Sequence, residues 1–233
     1  MRYRVALIPL LLALLVIACG SDDGADSSAD KPATTATDGQ ATAPQATEPG
    51  ECQEVDAPAP KPDGGQKKPT EKLEPGKTYE VEIQTNCGAF TIRLDQKASP
   101  ATAASFVSLA RKGFFDGTVF HRIVPGFVIQ GGDPTGSGTG GPGYSTVDRP
   151  PADVAYTEGV VAMAKAPQEA PGTSGSQFYV VTGADAGLPP DYALLGRVSK
   201  GLDVVRAIGQ LGDPATEQPL QAVVMQRAIV SER

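Results

Sequence analysis

Between Gly20 and Gly50 the sequence holds no aromatic residue and no Val, Ile, Leu or Met. A stretch made chiefly of Ala, Thr, Ser, Asp, Gly, Pro and Gln cannot bury enough apolar surface to offset the entropy of ordering its backbone. The same character continues through APAPKPDGGQKKPTEKLEPG to about Gly76. Any packed core must therefore come from residues 77–233, which is room for one ordinary domain. Residues 19–76 are expected to form a disordered, low-complexity tether. About 50 residues of such chain have a mean reach of about 40 Å.

The segment ahead of the tether is of another kind. Arg2 and Arg4 make a short basic head, and VALIPLLLALLVIA follows, uncharged and nearly all apolar. That run falls short of the ~20 residues a bilayer span needs, so residues 1–18 read as a secretory signal. Its end, VIAC, resembles a bacterial lipobox, in which the cysteine becomes the new N-terminus and carries lipid. On that reading Cys19 is lipidated with palmitate, and the protein is exported and anchored to the outer face of the cell membrane. A plain signal peptide with a coincidental cysteine is the alternative. The formal net charge of −7 argues against nucleic acid as an electrostatic partner.

Two further cysteines remain, Cys52 and Cys87. Export into an oxidising compartment favours a disulfide between them, which would pin the end of the tether to the domain. Two unrelated free thiols are the other possibility. No CxxC pair exists, so neither a zinc site nor a dithiol redox site has support, and no metal or cofactor is expected.

In the remainder, hydrophobic periodicity sets the elements. KTYEVEIQT alternates through Tyr79, Val81 and Ile83, and the alternation resumes after Asn86-Cys87-Gly88 with Phe90, Ile92 and Leu94. This pattern predicts a hairpin. SPATAASFVSLARKG predicts a helix, with Ser99 as cap, Pro100 in the first helical position and Gly113 at the stop. VFHRIV, FVIQGG, GVVAMAK, SQFYVVTG and LQAVVMQRAIV read as strands, and GLDVVRAIGQL as a second short helix. Many strands and two helices point to a mainly β core, closed into a barrel so that no strand is left as an edge.

The stretch FHRIVPGFVIQGGDPTGSGTGGPGY contains the chain's single histidine, an arginine beside it, a glutamine and a run of glycines, and no nucleophile triad. It resembles a signature of the cyclophilins, the peptidyl-prolyl cis-trans isomerases. GVVAMAKA with GTSGSQFYVVTG resembles a second signature of that family, and LLGRVSKGLDVV a third. The resemblance runs from about Tyr79 to Val230. It implies a closed eight-stranded antiparallel β-barrel capped by two α-helices.

The resemblance also implies a reaction in which no covalent bond is made or broken. An X-Pro amide is rotated across a barrier of ~18–20 kcal/mol that comes from resonance. Uncatalysed, this takes on the order of tens to hundreds of seconds. In the twisted transition state the prolyl nitrogen carries a localised lone pair, which a positioned donor can bond only there. Arg122 matches the family's catalytic arginine. By the same match Phe120, Phe127, Val128, Tyr179, Leu188 and Tyr192 line or flank the pocket for the proline ring. Val128 stands where Met is common, Tyr179 where Phe is common, and Tyr192 where many members have His. Gln130, Gln177 and the main chain of Ala164 hold the substrate backbone. The partners implied are proline-containing polypeptides, and the implied role is assistance to the folding of exported proteins by a monomer.

Other readings of these residues stand beside this one. A lone His121 without a carboxylate or cysteine motif is more often structural than an acid or base. The glycine run lacks the Gly-Lys-Ser/Thr of a phosphate-binding loop. A module that captures proline segments without catalysis, as a chaperone or adhesion device, is the rival function. Arg122 separates the two, because pure capture does not require it.

Overall fold

The computed structural model describes residues 51–233. The expected signal segment 1–18, Cys19 and residues 20–50 of the expected tether lie outside the described residues. Strand β1 (Tyr79–Thr85) and strand β2 (Gly88–Leu94) form the expected hairpin, with Val81 opposite Ile92 and Ile83 opposite Phe90. Helix α1 (Pro100–Arg111) leads to β3 (Thr118–Val124) and β4 (Val128–Asp133). Then follow β5 (Thr146–Val147), β6 (Val160–Met163), β7 (Thr173–Ser174), β8 (Phe178–Val181) and β9 (Leu194–Lys200). Helix α2 (Leu202–Gly209) and β10 (Val224–Glu232) complete the chain.

Eight strands close into an antiparallel barrel in the order β1-β10-β3-β4-β8-β6-β9-β2, while β5 and β7 pair separately. The fold class expected from the sequence is therefore the one observed. Strand β9, which alternation did not reveal, bridges β6 and β2. Its pattern is interrupted by Gly196, where an added Cβ would lie 2.0 Å from the carbonyl oxygen of Arg93.

Helix α1 starts at Pro100 with Ser99 in the N-cap position as expected, and the Ser99 carbonyl accepts the N–H of Ala103 at 2.8 Å, yet the Ser99 side chain makes no capping bond. The buried Ser99 hydroxyl has no hydrogen-bond partner among the described residues. The Asp148 carboxylate, 46 residues away in sequence, accepts the N–H of Thr102 at 2.7 Å instead. At the other end Gly113, with φ of 65°, sends its N–H to the carbonyl of Ala110 and closes the helix.

Apolar side chains form two layers. Inside the barrel Phe90, Phe106, Phe115, Phe120 and Phe178 are fully buried, and Phe178 meets Phe120 edge to face at 6.1 Å. A second cluster of Val128, Tyr156, Val160, Ala162, Tyr179 and Val181 covers the outer face of β4, β8 and β6. In this layer the Tyr156 hydroxyl donates to the carbonyl of Tyr192 at 2.6 Å. Burial pushes the Tyr156 phenol up to about 12, and the Tyr179 phenol is pushed up by the same cause. The buried Tyr179 hydroxyl, however, has no partner among the described residues.

Residues 51–76, expected as the last part of a flexible tether, instead lie along the barrel as an extended strap. Cys52 is disulfide-bonded to Cys87, at the turn between β1 and β2. The Lys61 ammonium sits among the carbonyl oxygens of Gly113, Phe114 and Asp116 at 3.2, 2.7 and 3.0 Å. Gly64 N–H donates to Gly141 O and Gln66 N–H to Pro142 O. Asp63 accepts the N–H of Gly141 at 2.8 Å. The strap thus holds by backbone hydrogen bonds, the ammoniums of Lys61 and Lys68, the Asp63 carboxylate and a disulfide, with Leu73 as an apolar contact to the core.

Two outcomes follow for stability. The disulfide closes a loop with a sequence separation of 35. The loop-entropy treatment assigns a bridge of this span roughly 3–4 kcal/mol. Reduction is expected to lower Tm by several degrees in a thermal scan with and without dithiothreitol; an unchanged Tm would show that the bridge does not constrain the chain. Tyr179→Phe removes a buried hydroxyl that has no partner. It is expected to raise the unfolding free energy by about 1 kcal/mol in urea titration, because the desolvation cost disappears while the ring packing stays.

Candidate active site

The strand register brings distant residues into one row. Arg122 on β3 pairs with Gln130 on β4, Gln130 with Tyr179 on β8, and Tyr179 with Ala162 on β6. All point to the outside of the barrel. Two bulges set this up. His121 is the extra residue on β3 between the pairs Phe120–Gly131 and Arg122–Gln130. Gly132, with φ of 84°, is the extra residue on β4, and a Cβ there would lie 2.5 Å from Ser176 O. A bulge shifts the alternation by one, so Phe120 and Arg122 face opposite sides of the sheet although they are two residues apart. This corrects the expectation for Phe120: it is fully buried in the barrel interior between Phe90 and Phe178, and takes no part in the pocket.

A pocket of about 290 Å³ opens above the row. Phe127, Val128, Tyr179, Leu188 and Tyr192 form its apolar wall, with Arg122 and Gln130 on one side and Ala164 and Lys165 on another. Phe127 is presented by the turn Val124-Pro125-Gly126-Phe127, in which Phe127 N–H returns to Val124 O at 3.0 Å and Gly126 has φ of 68°. That is the geometry that Pro followed by Gly favours. Leu188 and Tyr192 come from the loop between β8 and β9. The Tyr192 ring meets Tyr179 edge to face at 5.6 Å, and its N–H donates to the Tyr156 hydroxyl at 3.1 Å.

A polar chain runs along the pocket's edge. Arg122 Nε donates to Glu217 Oε2 at 2.7 Å, and Arg122 Nη1 lies 3.4 Å from Gln130 Oε1. Gln130 Nε2 donates to Gln177 Oε1 at 3.0 Å. Gln177 Nε2 in turn donates to the carbonyls of Gly138 and Gly140 at 3.0 and 2.9 Å. No hydrogen bond to the protein engages Arg122 Nη2 among the described residues. The guanidinium carbon stands 5.9 Å from the centroid of the Phe127 ring. The arrangement offers an apolar cup with a fixed cationic donor at its lip.

Gln177 does not line the cup. It borders a larger neighbouring groove of about 760 Å³ together with Gln130, Ala164 and Lys165, and Asp63 of the strap stands at its rim. The Ala164 N–H is engaged with Gln177 O at 2.9 Å, so the main-chain group it can offer a ligand is its carbonyl. The loop beside this groove is organised by Asp133. Burial pushes the Asp133 carboxyl up, but bonds from Thr135, Gly140 and Gly138 outweigh that and hold it below the usual range. His121 lies beside this loop with neither ring nitrogen bonded. Burial lowers its pKa, Asp133 opposes that and Arg122 adds to it. Among the described residues, no group of three or more His, Cys, Asp or Glu side chains is arranged to hold a metal ion.

The site therefore unites Arg122, Phe127, Val128, Gln130, Ala164, Tyr179, Leu188 and Tyr192, with Gln177 in the adjoining groove and Phe120 elsewhere. Sequence reasoning missed Tyr156, which holds Tyr192, and Glu217, which holds Arg122. Neither stands in a stretch with a recognisable signature.

Comparison with known proteins agrees with this geometry. The family model described as cyclophilin type peptidyl-prolyl cis-trans isomerase/CLD matches residues 80–230. A peptidyl-prolyl cis-trans isomerase of Arabidopsis thaliana is 36% identical over 154 residues, which cover 64% of this chain and 92% of that protein. Peptidyl-prolyl cis-trans isomerase B of Streptomyces anulatus is 39% identical over 170 residues, covering 65% of this chain and 95% of that protein. The crystal structure of a cyclophilin type isomerase of Cryptosporidium parvum in the presence of the dipeptide Ala-Pro superposes with a TM-score of 0.61 at 28% identity, covering 65% of this chain and 98% of that one. With its barrel, its pocket and most of its folded residues matched to that family, the chain belongs to the cyclophilin-type peptidyl-prolyl cis-trans isomerases and is an isomerase of that class.

Proposed function

We propose that the protein is exported, held to the outer face of the cell membrane by lipid on Cys19, and speeds the rotation of X-Pro bonds in exported polypeptides as they fold. The observation that carries the catalytic part is Arg122 at the lip of an apolar cup, with Nε and Nη1 tied to protein groups and Nη2 left over. The proline ring enters the cup against Phe127, Val128, Tyr179, Leu188 and Tyr192. Gln130, Gln177 and the Ala164 carbonyl hold the flanking backbone. As the amide twists, resonance is lost and the prolyl nitrogen gains a lone pair that the guanidinium can bond. Nothing of this sort is available in the planar ground state, so the interaction lowers the barrier without tightening substrate binding.

No proton is transferred and no metal or cofactor takes part. An arginine suits the task because it stays charged and offers several donors in a fixed plane. The strap fastened through Cys52 and Cys87 supports export, since a disulfide persists in an oxidising compartment. The enzyme acts as a monomer on proline-containing segments, a chemistry of which the Ala-Pro dipeptide present with the Cryptosporidium parvum isomerase is a small example.

Substitution separates catalysis from mere capture. Arg122→Ala is expected to lower kcat/KM toward a chromogenic Ala-Pro peptide by about 100-fold, with KM nearly unchanged, as for loss of one transition-state donor. Phe127→Ala is expected to raise KM about tenfold, since the ring loses an apolar wall worth roughly 1.5–3 kcal/mol when fully buried. Unaltered turnover in the arginine variant would reject its role, and undetectable turnover by the folded wild-type protein would favour a binding module.

A further inference from the structure

Glu217 is the one non-glycine residue with positive φ among the described residues, at 59°. An L-residue enters that region at a cost, so the surrounding structure must impose it. Here the constraint is visible. Asp213 accepts the N–H of Ala215 at 2.7 Å and of Thr216 at 3.1 Å through its carboxylate, and that of Glu217 at 2.8 Å through its carbonyl. Asp213 N–H donates back to Gln218 O at 2.8 Å, which closes the turn. The turn is seated on β3. Glu217 O accepts the N–H of Ile123, the residue after Arg122, at 2.9 Å, and a Cβ on Gly212 would lie 2.2 Å from Ile123 O.

The outcome of this forced turn is one contact: Glu217 Oε2 stands 2.7 Å from Arg122 Nε. We propose that Glu217 is a positioning residue for the reaction, holding the Arg122 guanidinium in one rotamer so that its terminal nitrogens face the pocket. The inference rests on the reading of Arg122 as the donor to the prolyl nitrogen. A half-exposed ion pair adds little to folding stability. Its value lies elsewhere. An arginine has several rotatable bonds, and a donor already fixed before the amide twists spends no ordering entropy at the transition state. Glu217 takes the single N–H of Nε and Gln130 meets Nη1, so the guanidinium plane is held at two of its three nitrogens. Glu217 does not line the pocket itself, so its influence falls on turnover rather than on substrate affinity.

Three substitutions test this in the full-length protein. Glu217→Ala is expected to lower kcat about tenfold with KM nearly unchanged. Glu217→Gly, which takes the same backbone conformation without strain, is expected to do the same and so excludes collapse of the turn as the cause. Glu217→Gln keeps an acceptor for Nε and is expected to stay within about threefold of wild type. The Arg122 Nε–H resonance in ¹H–¹⁵N spectra is expected to exchange faster with solvent in the alanine and glycine variants. The inference is overturned if these two variants keep wild-type kcat, if their loss lies in KM alone, or if the glutamine variant loses as much as they do. Arg122→Ala measured alongside keeps the two readings apart. If it retains turnover, the role of Arg122 falls; if it loses turnover while the Glu217 variants do not, the role of Glu217 alone falls.

Discussion

The structure depends on the pairing of the two ends of its folded segment. Strand β1 lies between β2 and β10, and seven residue pairs join it to β10, from Tyr79–Glu232 to Thr85–Met225. Thr78 and Arg233 extend the seam with reciprocal backbone bonds of 2.7 and 3.1 Å. Beside it the buried Glu80 carboxylate is gripped by Arg93 at 3.2 Å and Arg233 at 2.7 Å. A buried carboxylate is tolerable only with such partners, and once they are present it ties β2 and the C-terminus to β1. With this seam closed, every barrel strand has two neighbours and the barrel itself presents no edge for a second chain to pair with. The interior can then be filled entirely by side chains, and the binding surface has to be built on the outside.

That outside surface is a matter of register. A row of outward residues across β3, β4, β8 and β6 becomes a site because the two bulges bring Arg122 level with Gln130 and Tyr179. The same bulges send Phe120 inward to fill the barrel. A one-residue slip in a strand exchanges its faces, so bulges here serve as adjustments of side-chain aim. The outer apolar cluster has a double use. Val128 and Tyr179 pack against Tyr156, Val160 and Val181, and they also floor the pocket. The side chains that floor the pocket are thus the same ones that cover this face of the barrel.

Much of this is legible in the sequence, and the failures share a cause. The hairpin, the helix beginning at Pro100 and most barrel strands announce themselves through local period and punctuation, and Arg122 and seven of the expected pocket and backbone-holding residues do meet at one place. What escapes involves partners far apart in sequence. Ser99 has the chemistry of a cap, but the carboxylate that reaches the helix comes from Asp148. The composition of residues 51–76 speaks correctly against a core there, but not against a strap whose anchors are Lys61, Asp63 and a disulfide. Phe120, placed beside the pocket by the family match, is turned into the barrel by a bulge that the residue types do not reveal. Glu217 stands 95 residues from Arg122, in a turn whose strained backbone no residue type advertises.

His121 shows why an arginine rather than a histidine suits this chemistry. It is the bulged residue itself, adjacent to Arg122, and neither of its ring nitrogens has a partner. Burial lowers its pKa and the neighbouring guanidinium lowers it further, against the pull of Asp133. The net shift favours the neutral imidazole. A charged imidazolium here would repel the guanidinium beside it. A proton-transfer step would need a group that changes charge near the working pH. Rotation about an amide needs the reverse, a donor whose charge is constant and whose direction is set before the bond twists. The bulge supplies a half-buried neighbour, and the acceptors of Gln130 and Glu217 leave the arginine its charge while restricting its motion.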